Sequence, residues 1–217
     1  MAEIALFGAN GTIGSRVLRE ALDRGHRVTA VVRDPGKLVA GPHANLAVVP
    51  GDVLDPESVA AAARGHDVLL SAVGGGDGPG HLATIEPAAR SLVRALRSLG
   101  SAAPRLIAVG GAGSLRMPDG QPVWDSPGLP AFVLQMMHAH GDALDYYRTV
   151  RDVAWTVVSP AAAVEPGERT GAYRAALDDL VVAADGASFI TAEDFAVAVV
   201  DEVEVPAHVG ERFAVGT

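Results

Sequence analysis

The chain has 217 residues, of which 49% are hydrophobic and 20% charged, and it contains no cysteine. A chain of this length can bury enough apolar surface to fold without disulfides, so we expect one domain spanning residues 1–217. The formal charge of −9 argues against general nucleic-acid binding, and the lack of cysteine excludes thiolate zinc sites. No apolar run of about 18 residues occurs and no secretory signal is visible, so we expect a cytoplasmic protein that does not bind membranes.

Short apolar runs alternate with amphipathic stretches along the chain. The first run ends at a glycine and is followed by apolar residues at helical spacing, and Asp55 and Pro56 together are typical of a helix start. In chain order, the predicted strands are Glu3–Phe7, Arg27–Val32, Leu46–Val49, Asp67–Val73, Arg105–Val109, Trp155–Val158 and Arg212–Val215. The predicted helices are Thr12–Arg24, Pro56–Ala63, Thr84–Leu99, Ala131–Arg148 and Thr191–Val203.

This alternation predicts βαβ units and hence an α/β fold, a Rossmann-like doubly wound parallel sheet with helices on both faces. We expect a small C-terminal extension of the single domain, at about residues 160–190, on the substrate side. The segments Gly74–Gly80 and Met117–Pro130 are rich in glycine and proline and are interpreted as loops. Both follow predicted strands, so both should lie at the carboxyl edge of the sheet, where ligands of open α/β folds bind.

A glycine-rich turn lies between the first predicted strand and the first predicted helix, in the order Gly-x-x-Gly-x-x-Gly. Glycines there permit a tight turn, close approach of a pyrophosphate to the backbone, and close packing of helix on strand. The helix N-terminus adds free N–H groups and the positive end of the helix dipole. The predicted phosphate-binding residues are Gly8, Asn10, Gly11, Thr12, Ile13 and Gly14.

The second predicted strand ends next to Arg33, where such folds meet the adenosine ribose. An arginine at this point accommodates the 2′-phosphate of NADP, whereas a carboxylate favours the 2′-hydroxyl of NAD. Lys37 adds a second positive charge, so we expect NADP(H). Asp34, directly beside Arg33, keeps NAD(H) open as an alternative.

Several further segments carry a resemblance to a known family. The glycine spacing resembles that of extended and atypical short-chain dehydrogenases/reductases. Together with the turn, the C-terminal half resembles the NAD(P)H-binding, NmrA-like group, and more narrowly the proteins labelled NADH-flavin reductases and relatives of biliverdin reductase B. The resemblance runs from Ile4 to Val215 and departs from the family pattern in Gly74–Gly80 and near Ala175–Asp179. It is carried by Val109–Leu115, Trp155–Ala161, Pro166–Arg174, Ser188–Ala196 and Glu202–His208.

The resemblance implies roles for several individual positions. Asp52 and Val53, after the third predicted strand, would border the adenine. Ser114, just past the fifth predicted strand, would face the substrate, as a serine does in biliverdin reductase B-like proteins. Small residues at the end of the fourth predicted strand suit close approach of the nicotinamide ribose. These are Ala72, Val73 and Gly74.

The Tyr-x-x-x-Lys pair of typical short-chain dehydrogenases is impossible here, because Lys37 is the only lysine and Arg33 stands four residues before it. Ordinary ketone reduction therefore lacks its usual proton donor, whereas a flavin or a quinone accepts hydride with less help. His140 is a candidate proton donor near neutral pH, and His138, two residues away on the same predicted helix, should point elsewhere. No spacing of histidines indicates a metal site.

We therefore expect an NADPH-dependent oxidoreductase that passes hydride to a small flavin- or quinone-like acceptor without a Tyr/Lys pair. FMN or FAD would then be a substrate. We expect a monomer or a homodimer, with no nucleic-acid partner. Two alternatives stay open: a non-catalytic NADP(H)-binding redox sensor of the NmrA type, and a non-redox tailoring enzyme that uses the same fold.

Overall fold

The computed structural model describes all 217 residues as one α/β unit. None of its helices combines the length and the apolar character needed to cross a bilayer. The strands are β1 (Glu3–Phe7), β2 (Arg27–Val32), β3 (Leu46–Pro50), β4 (Val68–Ser71), β5 (Arg105–Val109), β6 (Trp155–Ser159), β7 (Ala163–Glu165), β8 (Arg174–Ala176), β9 (Phe189–Thr191) and β10 (Glu211–Gly216). The α-helices are α1 (Thr12–Asp23), α2 (Pro56–Ala63), α3 (Gly78–Leu99), α4 (Ala131–Thr149) and α5 (Ala192–Glu204).

Eight strands form one sheet in the order β3-β2-β1-β4-β5-β6-β10-β8. The first six follow the doubly wound order, in which the chain turns back between β1 and β4, and β10 extends the parallel sheet beside β6. Only β8, at one edge, is antiparallel. The predicted Rossmann-like architecture and the last strand near Arg212–Val215 are confirmed.

The sheet is covered on both faces, so its central strands are apolar throughout instead of alternating with polar residues. In β1, Ala5 and Phe7 belong to the core beneath α2, α3 and α4. Ile4 and Leu6, in the same strand, belong to the core beneath α1 and α5. Two separate hydrophobic cores therefore hold the carboxyl edge of the sheet rigid from both sides.

Helix α3 begins at Gly78, so its predicted start at Thr84 is wrong. The Asp77 side chain accepts a hydrogen bond from Gly80 N at 2.6 Å, and a proline occupies the first turn. The backbone of Gly75 lies directly against Gly80, where a side chain at either position would collide. The glycines thus pack closely at a capped helix start, and the predicted loop Gly74–Gly80 ends at Asp77.

The segment predicted as a substrate-side extension is built into the fold by three short strands that the sequence did not predict. β7 and β9 pair in parallel as a separate two-stranded sheet, and β8 pairs with β10. Between them, Thr170 N and Oγ1 and Gly171 N all donate to the buried carboxylate of Asp194, near the N-terminus of α5. Strands of three residues are too short for a period-2 pattern, which is why they could not be found from sequence.

Candidate functional site

The turn between β1 and α1 presents unpaired backbone donors. The N–H groups of Thr12, Ile13 and Gly14 have no acceptor within the protein, and Gly11, the N-cap, provides no side chain to cap them. No acidic side chain lies in the first helical turn. Three free amides at the positive end of a helix dipole form a site for an anion.

The turn requires glycines because other backbone atoms lie where side chains would begin. Gly8 has a φ of 86°, in the left-handed region, and a Cβ there would collide with the carbonyl group of Ala72 at the end of β4. A Cβ on Gly14 would collide with the backbone of Gly8. Gly11 is exposed, and Asn10 beside it is also exposed. Tight glycine turns with free amides are typical of loops that bind a dinucleotide pyrophosphate, and the role of Gly8–Gly14 in phosphate binding stays a prediction.

Two charged residues at the end of β2 differ in their contacts: Arg33 has no partner, whereas the carboxylate of Asp34 has two. Arg33 is exposed and makes no ion pair or hydrogen bond. Asp34 accepts from Gly36 N at 3.1 Å and pairs with Lys37 Nζ at 3.4 Å, so its carboxylate is already engaged in the turn. Of the two predicted cations, Arg33 is therefore the one without a partner in the protein, whereas Lys37 forms an exposed ion pair with Asp34.

The turn after β3 is held by its own side chains. Asp52 Oδ1 accepts from Leu54 N at 2.9 Å, while Asp52 N donates to Ser58 Oγ at 3.0 Å. Val53 is buried under the turn, and the second carboxylate oxygen of Asp52 has no protein partner. Asp52 thus stabilises the turn and keeps one oxygen free for a ligand donor.

A small cavity of about 20 Å³ lies under the carboxyl ends of β4 and β5, between α3 and α4. Ser71, Val73 and Gly110 line it from the sheet, and His140 and Tyr147 line it from α4. A volume of this size holds about one water molecule, whereas ligand pockets usually exceed about 300 Å³. A larger ligand would therefore have to lie at the mouth, near Gly74 and Gly111.

His140 reaches this cavity and is neutral at pH 7. Burial, followed by repulsion from His81, lowers the pKa of His140 to about 4. At neutral pH the only hydrogen that His140 can offer is then the N–H of the neutral ring, so the low pKa gives no support to its predicted role as a proton donor. His138 instead stacks on Trp124, with ring centroids 4.9 Å apart, so the two histidines do point to different places.

Ser114 does not reach the cavity. Its hydroxyl accepts from Arg212 Nη1 at 2.7 Å, and the Arg212 guanidinium also pairs with Asp178. These three residues connect the loop after β5, the strand β10 and the segment that follows β8. The structure gives Ser114 a packing role, and the expectation that it faces the substrate gains no support from its contacts.

The tyrosines are engaged elsewhere. Tyr147 stacks on Trp155, and burial raises its pKa well above the usual range. Tyr146 lies under the guanidinium of Arg90, and the Tyr173 hydroxyl donates to Asp201 at 2.8 Å. Lys37, the only lysine of the chain, pairs with Asp34 after β2 instead of accompanying a tyrosine.

The chain is similar to known proteins in both sequence and structure. Residues 8–206 match the model of a family described as NAD(P)H-binding. The chain belongs to that family. The match begins at Gly8, the first glycine of the turn with the free amides.

Three solved structures share the whole fold with this chain. A Burkholderia pseudomallei protein provisionally described as exported is 41% identical, with a TM-score of 0.88 and full coverage of both chains. A Bacteroides thetaiotaomicron protein provisionally described as an epimerase is 37% identical, with a TM-score of 0.88, covering 99% of this chain and 96% of that one. A Streptococcus pneumoniae protein provisionally described as an NADH-flavin reductase is 30% identical, with a TM-score of 0.86, covering 100% and 99%.

Two polar groups near the cavity were missed by sequence reasoning. His81, on the first turns of α3, faces His140 with ring centroids 5.7 Å apart. Ser159, at the end of β6, has a buried hydroxyl without a partner, next to the space above Gly110. The only sequence signal for either was its position near the end of a strand or the start of a helix, and the wrong start of α3 concealed His81.

Proposed function

We propose that this protein is an NADPH-dependent oxidoreductase whose acceptor is a flavin- or quinone-like ring. The observation that carries the proposal is the alignment of three features along one edge of the sheet. These are the free amides at Thr12–Gly14, the free guanidinium of Arg33, and the cavity mouth with neutral His140. Across the sheet, Arg33 follows β2, the free amides follow β1 and the cavity lies under β4 and β5. This is the order in which NADPH presents its 2′-phosphate, its pyrophosphate and its nicotinamide.

Bound NADPH would supply a hydride, and the acceptor would take up that hydride and one proton. The chain's own residues would hold the phosphates, at Thr12–Gly14 and Arg33, and leave an open edge for the nicotinamide beside Val73 and Gly74. A neutral His140 can donate a hydrogen bond to a carbonyl oxygen, and solvent at the open mouth can supply the proton. An electron-poor ring suits such a site because it needs no strong acid.

The choice of NADPH over NADH rests on Arg33. Its guanidinium is free, whereas the neighbouring carboxylate of Asp34 is held by Gly36 and Lys37. A ribose 2′-hydroxyl would have to compete for that carboxylate, while a 2′-phosphate would meet an unpaired cation.

The proposed compartment is the cytoplasm, although the Burkholderia protein is provisionally described as exported. Cell fractionation tests it.

Two other functions each have one observation in their favour. The cavity of about 20 Å³ is too small to hold a substrate, as expected of a dinucleotide-binding sensor without a reaction. The Bacteroides neighbour, provisionally described as an epimerase, favours a non-redox enzyme on the same fold.

The deciding experiment combines binding and turnover. NADPH and NADH are titrated into the purified protein by calorimetry, and NADPH oxidation is then followed with a panel of flavins and quinones. Tight NADPH binding with acceptor-dependent oxidation supports the reductase. Binding without turnover of any acceptor favours the sensor or the non-redox enzyme, and no binding of either nucleotide would eliminate both nucleotide-dependent proposals.

A further inference from the structure

Two imidazole rings from different helices lie close together beside the cavity, and His140 lines it. His81 of α3 and His140 of α4 have ring centroids 5.7 Å apart and planes inclined by 57°. The Nε2 edge of His81 lies against Gly74, 3.6 Å from the point a Cβ there would occupy. The Cδ2 edge of His140 lies against Gly111 in the same way, at 3.2 Å. Since both glycines follow neighbouring strands, the two rings look onto one short stretch of the sheet edge.

The hydrogen-bonding state of His81 is fixed by the backbone. Its Nδ1 lies 2.8 Å from the carbonyl oxygen of Asp77. A carbonyl oxygen only accepts, so Nδ1 carries the hydrogen, and Nε2 of the neutral ring is left with a lone pair. No protein group donates to that nitrogen. In its neutral form, His81 therefore offers an acceptor at Nε2, on the side that faces Gly74.

His140 offers the complementary group. Neither of its ring nitrogens has a hydrogen-bond partner in the protein, and the neutral ring carries one N–H. No carboxylate lines the cavity, and the nearest one on α3, that of Asp77, is engaged by Gly80 N. The N–H of His140 is thus not engaged by the protein, and the His140 ring lies 5.7 Å from that of His81, centroid to centroid.

We propose that His81 and His140 form a donor–acceptor pair that selects acceptors presenting an N–H beside a C=O, as an imide ring does. The proposal rests on the proposed reductase function and makes His81 a specificity-determining residue. An acceptor with carbonyl oxygens alone, such as a quinone, would face the lone pair of His81 with another lone pair. Sites built to bond a substrate N–H discriminate strongly against analogues without one, because the buried protein group is then left unpaired.

The carboxamide of the nicotinamide also carries an N–H beside a C=O and is a second possible source of the same chemistry. The test separates the two with three acceptors: riboflavin, 3-methylriboflavin, in which the imide N–H is replaced, and menadione, which has carbonyl oxygens only. The variants are His81→Phe, which keeps a ring but removes the acceptor, and His81→Gln, which restores an acceptor oxygen. His138→Phe, on the exposed side of α4, is the matched control.

For the wild type we expect kcat/KM for riboflavin to exceed that for 3-methylriboflavin by about tenfold or more. His81→Phe should bring this ratio close to one and raise kcat/KM for menadione, because the opposed lone pair is removed, while the Kd for NADPH stays unchanged. His81→Gln should restore most of the ratio, and His138→Phe should keep it. Thermal denaturation shows whether each variant is folded.

A wild-type ratio near one, or the same ratio in His81→Phe, would overturn the proposal while leaving the reductase function intact. Weaker NADPH binding in His81→Phe with an unchanged acceptor ratio would assign the pair to the nicotinamide carboxamide instead, which also overturns it. If the wild type binds NADPH but reduces no acceptor, the proposed function itself fails and this inference fails with it.

Discussion

The buried imidazole of His140 makes stability depend on pH in a predictable way. Burial lowers its pKa in the folded state from 6.5 to about 4, while the unfolded chain keeps the ordinary value. The unfolded state therefore binds a proton more readily than the folded state does. The contribution of neutral His140 to the free energy of unfolding is fully present above pH 6.5 and is lost as the pH falls towards 4. The full difference corresponds to about 3 kcal/mol, of which about 2 kcal/mol is lost between pH 7 and pH 5.

Urea denaturation at pH 7 and pH 5 measures this loss directly, in the wild type and in His140→Gln. The glutamine variant should lack about 2 kcal/mol of the fall in unfolding free energy that the wild type shows between the two pH values. His138→Gln, which alters an exposed ring on the same helix, should behave as the wild type. The hydrogen bond from Arg169 holds the pKa of Glu20 below its usual value, so protonation of that carboxylate changes the free energy of unfolding only at a more acidic pH.

Because the comparison is between two pH values within each protein, any constant effect of the substitution on stability cancels. If His140→Gln shows the same pH 7 to pH 5 loss as the wild type, His140 is not the buried neutral group described here. The assignment of its N–H as a hydrogen-bond donor at neutral pH would then also be wrong.

Four further substitutions, one of them a matched control, test other parts of the structure. Arg33→Ala should weaken NADPH binding by about 10- to 100-fold, the worth of one hydrogen bond to a charged group, with NADH binding unchanged in calorimetry; an equal loss for both nucleotides would contradict the assigned role. Arg212→Met should cost about 2–3 kcal/mol in urea denaturation, because its guanidinium is only 2% exposed. Arg116→Met, at an exposed ion pair, should cost less than about 1 kcal/mol, and equal costs would refute the burial argument. Ser91→Ala removes a buried hydroxyl without a partner from α3 and should raise stability by about 1 kcal/mol, or the melting temperature by about 2–4 °C; a fall would mean that the hydroxyl has a partner.

Features encoded in a few consecutive residues could be predicted from the sequence. The turn Gly8–Gly14 and the start of α2 are of this kind, since Asp55 accepts from Glu57 N two residues on, with Pro56 between them. The order of strands followed from their alternation with helices, because right-handed crossovers leave few topologies for a parallel sheet. The same local reasoning failed at Asp77, where five nearby glycines suggested a loop although the aspartate caps a helix.

Features that depend on distant partners could not be predicted. Ser114 is explained by Arg212, which is 98 residues away in the chain, and no local pattern shows that contact. The charge state of His140 depends on burial between α3 and the sheet and on the approach of His81. The sequence showed that His140 was on a helix near the site but not what surrounds it.

The core beside the phosphate-binding turn draws its residues from both ends of the chain. Ile4 and Leu6 of β1 share it with Phe195 of α5 and with Phe213 of β10, and α1 packs directly on α5. Since a polypeptide leaves the ribosome from its N-terminus, the residues that shape this turn are made first but gain their full support only when about the last twenty-five residues emerge. A nascent chain arrested before α5 would therefore expose the apolar face of α1, and its capacity to hold a nucleotide would be acquired only after α5 and β10 have been made.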